Sequence, residues 1–538
     1  MKASKSKRLI CTAVVMLFVS GLAAGPASSA GTGGLKPLSS VPVPLPPANI
    51  LSQYIIDTQA AIQLGKALFW DAQLGSDGVM ACASCHWSAG ADTRASDIVN
   101  PGRNQLFQAA KPGATVLAKK FFIKTDDIAG SGGVLDMNFL GLSNPLTAVD
   151  NVLPIPDPLF KNAAGNVRQC TGRNAPSSVN AVYNLRNFYD GRASNNFNGV
   201  TPSGTIGGAQ NAFVYKIING VPHWVSVSIP NASTASQAVG PPLSAVEMSA
   251  AGRTWPDIGR KMIGLGVPLA QQVVDPTDSV LGSLANPGGT GLATTYSAMI
   301  AAAFDPQWYS DALVAANGWT VTEANFSLIF GLSVMLYEAT LVSDQTPLDQ
   351  FLLGNAAALT PTQQAGMQVY IGKARCNKCH GGAELTEAAV SQAKGDLLKG
   401  FLNTAVRPLR EDGGDVLQPG QGKFKTPGLR NNLLNGPYFH NGGMSTLMQV
   451  VDFYDRGGDF PSQFTDSDVR PLRLTPVEKN ALVDFLAYGM LDNRVARELP
   501  PFDHPALVLP NGPTLPAVGA AGNAAPLQPF LGLSPFIP

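Results

Sequence analysis

Two short stretches of this chain bring two thiols and an imidazole together in the same way: Cys82-Ala83-Ser84-Cys85-His86 and Cys376-Asn377-Lys378-Cys379-His380. In each, one turn aims both sulfurs in one direction and the next residue adds an imidazole on the same side. That arrangement suits a porphyrin, whose two vinyl groups take the thiols while the imidazole ligates its iron. A redox dithiol, half a zinc site or a disulfide would explain the cysteine pairs. None of them explains a His directly after the second Cys, twice. The spacing predicts two covalently bound haem c groups, one on Cys82, Cys85 and His86, the other on Cys376, Cys379 and His380. Of the other cysteines, Cys11 falls in an N-terminal leader, and Cys170 reads as a small buried hydrophobe.

The elements that must hold these motifs carry helix signals. Thr360-Pro361-Thr362-Gln363 is a capping box with Pro at the first helical position, and it predicts a helix running toward Cys376. A second box, Thr475-Pro476-Val477-Glu478, predicts a helix with Leu482, Phe485 and Leu486 on one face. Residues 323–341 repeat Phe326, Ile329, Phe330 and Val334 at the spacing of an amphipathic helix. Strand-like alternation is weak and limited to about 221–229. The expected fold is mainly α, with two cytochrome-c-like haem domains and long loop-rich insertions. Its expected parts are a signal peptide (1–30), a Pro/Gly-rich linker (31–48), a first haem domain (49–320), a second (321–500) and a Pro-rich tail (501–538). The tail is expected to wrap a surface or stay mobile.

Lys2, Lys5, Lys7 and Arg8 precede an apolar run from Leu9 to Leu22, and Ser28-Ser29-Ala30 follows as a cleavage site. That order reads as a secretory signal peptide. No later stretch reaches the length of a membrane helix, so no integral membrane segment is expected after cleavage, and the mature protein is expected to be periplasmic or secreted. Lys+Arg and Asp+Glu balance at 37 each, which gives no reason to expect a nucleic-acid partner. Charged residues are scarce and Gly and Pro plentiful, which predicts long ordered loops around a modest set of helices.

Further segments surround the two motifs. Leu64-Gly65-Lys66-Ala67-Leu68-Phe69-Trp70-Asp71 precedes the first, and Arg173-Asn174-Ala175-Pro176, Tyr189-Asp190-Gly191-Arg192-Ala193 and Val246-Glu247-Met248 follow it. Phe424-Lys425-Thr426-Pro427-Gly428-Leu429-Arg430-Asn431 and Gly436-Pro437-Tyr438-Phe439-His440 follow the second. In this order, over most of 60–490, they resemble the di-haem cytochrome c peroxidase and MauG superfamily. About 88–168 and 196–234 have no obvious counterpart there.

The resemblance implies that peroxide binds at the first haem, in a distal pocket formed by Gln237, Pro241 and Glu247. A carboxyl there can take a proton from the near oxygen of peroxide and return it to the leaving oxygen. Burial would raise its pKa and suit it to both jobs. Classical members close this site with a distal His after the first motif, but here no His occurs between His86 and His223. The first haem is therefore expected to be five-coordinate. His223, in an insertion, reads as structural or exposed.

Peroxidases of the family place a Met at a fixed spacing beyond the His of Pro-Tyr-Phe-His. That spacing from His440 lands on Tyr454, the residue type of MauG-like members. Tyrosinate is a hard anionic donor that favours ferric and higher states. Met444 and Met448 remain alternative ligands. Tyr189 stands where the family has a Trp between the haems, so hole transfer through it must release a proton. Ala374 stands where MauG draws electrons from a bound protein through a Trp. Asn174, Asn435 and Pro437 fall where the family binds calcium through oxygen ligands.

The leading expectation is a peroxidase that reduces hydrogen peroxide to water with electrons from a small donor protein, cytochrome c or a cupredoxin. The alternative is a MauG-like oxidase using high-valent haem iron on a protein or organic substrate; Tyr454 and the missing distal His favour it, and Ala374 weakens it. A non-enzymatic electron-transfer cytochrome is the third reading, and it predicts both irons six-coordinate and inert to peroxide.

Overall fold

The computed structural model describes residues 31–538 except 118–120, 205, 207–211 and 316–317, so the expected signal peptide lies outside the described residues. Helices carry the framework. Among the described residues every sheet is a two-stranded antiparallel ribbon, in keeping with the mainly helical expectation.

The first core forms around the Thr58–Trp70 helix. Asp57 caps it by accepting from Ala60 N–H, and Leu64, Leu68 and Phe69 are buried along it. Its main partner is the Phe326–Glu338 helix. The two backbones approach closely at Gly65, where a Cβ would overlap the Ser333 carbonyl and stand 2.9 Å from Tyr337 Cβ. This corrects two expectations. Every residue of the Phe326–Glu338 helix is buried, so it is not amphipathic. It also belongs to the first core, so a boundary at 320/321 cuts through that core. A helix apolar all round must be covered on every side, and the Thr58–Trp70, Ser233–Ala238 and Trp255–Leu265 helices cover it.

The second core repeats the device. The Pro361–Ile371 helix, opened by the Thr360/Gln363 capping box, packs on the Pro476–Asp484 helix and its Phe485–Gly489 continuation. A Cβ on Gly366 would overlap the Ala481 carbonyl and stand 2.7 Å from Phe485 Cβ. Leu482, Phe485 and Leu486 are buried as the spacing predicts.

Both insertions contain hairpins. Met137–Gly141 pairs with Asn151–Pro154, and Val214–Ile218 pairs with Val221–Val225. The first insertion is pinned by Asp150, which is fully buried with Arg253 (3.1 Å) and Lys261 (3.0 Å). The Pro-rich tail wraps rather than dangles. Leu507, Leu509 and Leu515 join the first core, Leu527 packs on the second, and the Pro535 carbonyl accepts from Met448 N–H. The 31–48 segment is equally packed: Leu35 and Leu38 are buried, and Leu38 N–H donates to Asp349 at 2.9 Å.

Candidate haem sites

Cys82 immediately precedes a single helical turn, Ala83–His86, pinned where Ala81 N–H donates to Ser84 Oγ at 3.0 Å. Burial pushes both its thiols up, so they stay protonated. His86 Nδ1 lies 2.9 Å from the Gly90 carbonyl. A carbonyl only accepts, so Nδ1 carries the hydrogen and Nε2 keeps its lone pair for a metal. In the second motif Cys379 N–H and His380 N–H both reach the Cys376 carbonyl. His380 Nδ1 faces the Pro427 carbonyl at 3.0 Å and the Leu385 carbonyl at 3.3 Å, and burial holds its pKa down to about 4. Two neutral thiols and a neutral imidazole with a free outer nitrogen, twice over, fit two haem c groups.

The first cavity is lined by Cys85 and His86 together with Gln237, Pro241, Glu247 and Tyr189. Gln237 comes from the Ser233–Ala238 helix, and Pro241 opens the next turn. Glu247 is half-buried. Removal from water raises its carboxyl, against which the Arg192 guanidinium and the Ser244 hydroxyl pull it down. The first insertion backs this loop. Val134 N–H donates to the Val246 carbonyl at 3.1 Å, and Gln169 Nε2 donates to the Ala245 carbonyl at 2.8 Å. Gly133 lies so close that a Cβ there would overlap the Val246 carbonyl and stand 2.8 Å from Glu247 Cα. His223 sits exposed on a hairpin strand and does not line this cavity.

The second cavity is lined by Cys376, Cys379 and His380 and by apolar walls such as Leu429, Leu447, Val451, Leu482 and Leu486. Tyr454 lines it too, from the last turn of the Leu447–Arg456 helix, and burial raises its phenol. Met444 and Met448 are buried elsewhere, Met444 against Phe453 and Met448 in the second core. Tyr189 lines both cavities. Its ring meets His440 edge-on with centroids 6.4 Å apart, and His440 stacks on Phe424 at 3.6 Å. Ala374 lines the second cavity. Cys170 is buried, as expected.

Asn174, Asn435 and Pro437 line a third cavity between the halves. Asn174 Nδ2 donates to the Pro437 carbonyl at 2.5 Å, and Asn435 Oδ1 is buried without a partner. No group of three or more His, Cys, Asp or Glu suited to a metal occurs among the described residues, so any cation here would rely on neutral oxygens.

Sequence reasoning passed over Glu338, which lines the first cavity with Oε2 lacking a hydrogen-bond partner. Burial pushes its carboxyl up to about 8. A lone acid closing an otherwise apolar helix was the available signal. Lys425, within Phe424–Asn431, carries no local signal of a role.

Comparison with known proteins gives the family. A family model described as di-haem cytochrome c peroxidase matches residues 59–357. The chain is 35% identical over 195 residues to cytochrome-c peroxidase IdrP2 of Denitromonas iodatirespirans, covering 31% of this chain and 50% of the relative. It is 30% identical over 155 residues to the methylamine utilization protein MauG of Methylorubrum extorquens, covering 28% and 40%. The chain thus spans about half the length of the curated relatives it matches. Among solved structures, a MauG-like protein associated with microbial copper homeostasis matches at 18% identity and a TM-score of 0.46, covering 85% of this chain and 94% of that one. The diheme peroxidase BthA of Burkholderia thailandensis matches at 18% identity and a TM-score of 0.44, covering 82% and 88%. No helix among the described residues is long and apolar enough to cross a membrane. The matched segment takes in more than half of the chain, including the first haem motif and the Glu247 loop, and the chain belongs to the di-haem cytochrome c peroxidase family.

Proposed function

We propose that this protein is an exported peroxidase that reduces hydrogen peroxide to two waters, using two protons and two electrons from a small cytochrome or cupredoxin. The observation that carries this reading is a carboxyl, Glu247, lining the same cavity as His86. A haem c bound at Cys82, Cys85 and His86 would supply the iron at which the O–O bond breaks. Glu247 takes the proton from the near oxygen and returns it to the far one, so that the leaving group is water. Its pKa, raised by loss of water, lets one group serve as base and then as acid. Gln237 and Pro241 shape the face on which peroxide lies, and the Gln237 amide offers it a hydrogen bond.

Cys376, Cys379 and His380 would hold the second haem, which would supply an electron store there; Tyr454 lines that cavity as the candidate iron ligand, and Tyr189 lines both cavities as the candidate relay. Asn174, Asn435 and Pro437, which line one cavity, would hold a calcium ion through neutral oxygens. A MauG-like oxidation of a protein or organic substrate is the second reading, and Tyr454 in the second cavity favours it. The deciding experiment mixes the ferric holoprotein with peroxide in stopped flow and then supplies reduced cytochrome c or azurin. A peroxidase turns over the donor, and Glu247→Gln slows this by about 10²-fold or more. Undiminished turnover in Glu247→Gln removes that residue from the reaction. Peroxide consumption with no donor oxidation, alongside oxidation of a co-purified protein, selects the second reading.

A further inference from the structure

One buried charge is left without a partner by the roles assigned above. Lys425 follows Phe424 in a short strand paired with Phe401–Leu402 and is 4% exposed. Its backbone N–H donates to the Tyr189 carbonyl at 2.8 Å. Its ammonium makes no hydrogen bond or ion pair among the described residues, and burial alone acts on it, holding its pKa down to about 8. The neighbouring cations are satisfied: Arg375 by Asp468, Arg430 by Asp349, and Arg173 by Asp190 and Asp412. An isolated ammonium out of water is strongly unfavourable unless an anion or hydrogen-bond acceptors face it.

The side chain lines two cavities, the one around Cys376, Cys379 and His380 and the polar one with Asn174, Asn435 and Pro437. What enters the first of these, on the reading above, is a haem c, which keeps two propionate carboxylates after its vinyl groups are consumed. We propose that Lys425 is the counter-ion of a propionate on the haem held at Cys376 and Cys379. The pairing satisfies the ammonium and the carboxylate at once. It also puts a fixed positive charge at the wall that the two cavities share.

This inference rests on the proposed attachment of a haem at the second motif, and the experiment separates the two claims. Holoproteins carrying Lys425→Met, Lys425→Gln and Lys425→Arg are compared with the parent by pyridine haemochrome count, redox titration of each haem, and the propionate bending band in resonance Raman. Removing a positive charge disfavours the reduced state. Lys425→Met and Lys425→Gln are therefore expected to shift the midpoint of the second haem downward and move its propionate band, with the first haem unmoved, while Lys425→Arg restores both. If Lys425→Met does not accumulate, Lys425→Gln carries the measurement, since its neutral amide keeps a polar head in the cavity on a stem one atom shorter. Two haems with an unchanged midpoint and band in the neutral variants overturn the inference. So does a Lys425→Arg protein that behaves like them, because packing and not charge would then matter. A peptide spanning Cys376 and Cys379 that carries no haem mass in the unmutated protein overturns the attachment itself.

Discussion

The bracing of Glu247 by the first insertion makes Gly133→Ala an informative change far from any ligand atom. An alanine Cβ at 133 would overlap the Val246 carbonyl and stand 2.8 Å from Glu247 Cα, where ordinary contact begins at 3.4 Å. The Glu247 backbone must therefore retreat by about 0.6 Å, and the preceding carbonyl by more. Catalytic groups need placing to within about 0.5 Å, and a misplacement of about 1 Å costs on the order of 10²-fold. Gly133→Ala is expected to slow the reaction of the ferric protein with peroxide by about 10- to 10²-fold, read as the rate of Soret change in stopped flow. Overpacking should cost about 1–3 kcal/mol of stability, so the resting spectrum and haem content stay those of the parent. If displacement of Glu247 is the cause, adding Gly133→Ala to Glu247→Gln should lose little more than Glu247→Gln alone. A Gly133→Ala protein that reacts at the parent rate refutes the bracing argument. Losses that multiply in the double variant refute it as well.

Three other outcomes follow from the structure. Burial lifts the Glu338 carboxyl from 4.5 to about 8. Its stabilising contribution is therefore complete below the ordinary carboxylate range and is lost as pH rises through about 8, at up to about 1.4 kcal/mol per pH unit. The urea midpoint of the holoprotein should fall as pH rises across that window in the parent and fall less in Glu338→Gln; identical profiles would contradict this. Tyr189→Phe should slow electron exchange between the haems and abolish its solvent isotope effect, because a Phe has no phenolic proton to release; transient absorption that finds the parent rate in both waters rules the relay out. Removing calcium with a chelator should alter the spectrum of at least one haem and lower turnover, and added calcium should restore both. A protein indifferent to chelation has no functional cation at Asn174, Asn435 and Pro437.

Much of the framework was legible because its signals are local. A capping box fixes where a helix begins whatever surrounds it, and the Thr360 and Thr475 boxes both open helices where expected. Local spacing cannot show that the Phe326–Glu338 helix is buried on all sides, because four apolar residues at helical spacing look alike in a half-buried helix and a wholly buried one. What differs is the number of neighbours, and those come from residues far away in the chain. Composition suggests a linker for 31–48 and a wrapping or mobile tail after 501, but not which leucines, among them Leu38, Leu507 and Leu515, bury against distant apolar surface. The first insertion, seen only as a length without counterpart, proves to brace the loop that carries Glu247.

The sequence alone determined the chemistry that depends on adjacency: two thiols and an imidazole within one turn, twice, since five consecutive residues suffice to make that donor set. It also determined the helix starts. The resemblance pointed to Glu247 and Tyr454, but only the tertiary structure put Glu247 in one cavity with His86, put Tyr454 and neither Met444 nor Met448 in the lining of the second, and left Glu338 and Lys425 buried beside them without partners. Each of these depends on the convergence of segments separated by scores of residues. Desolvation, which shifts the pKa of Glu247 and Glu338, belongs to that convergence and to no residue by itself.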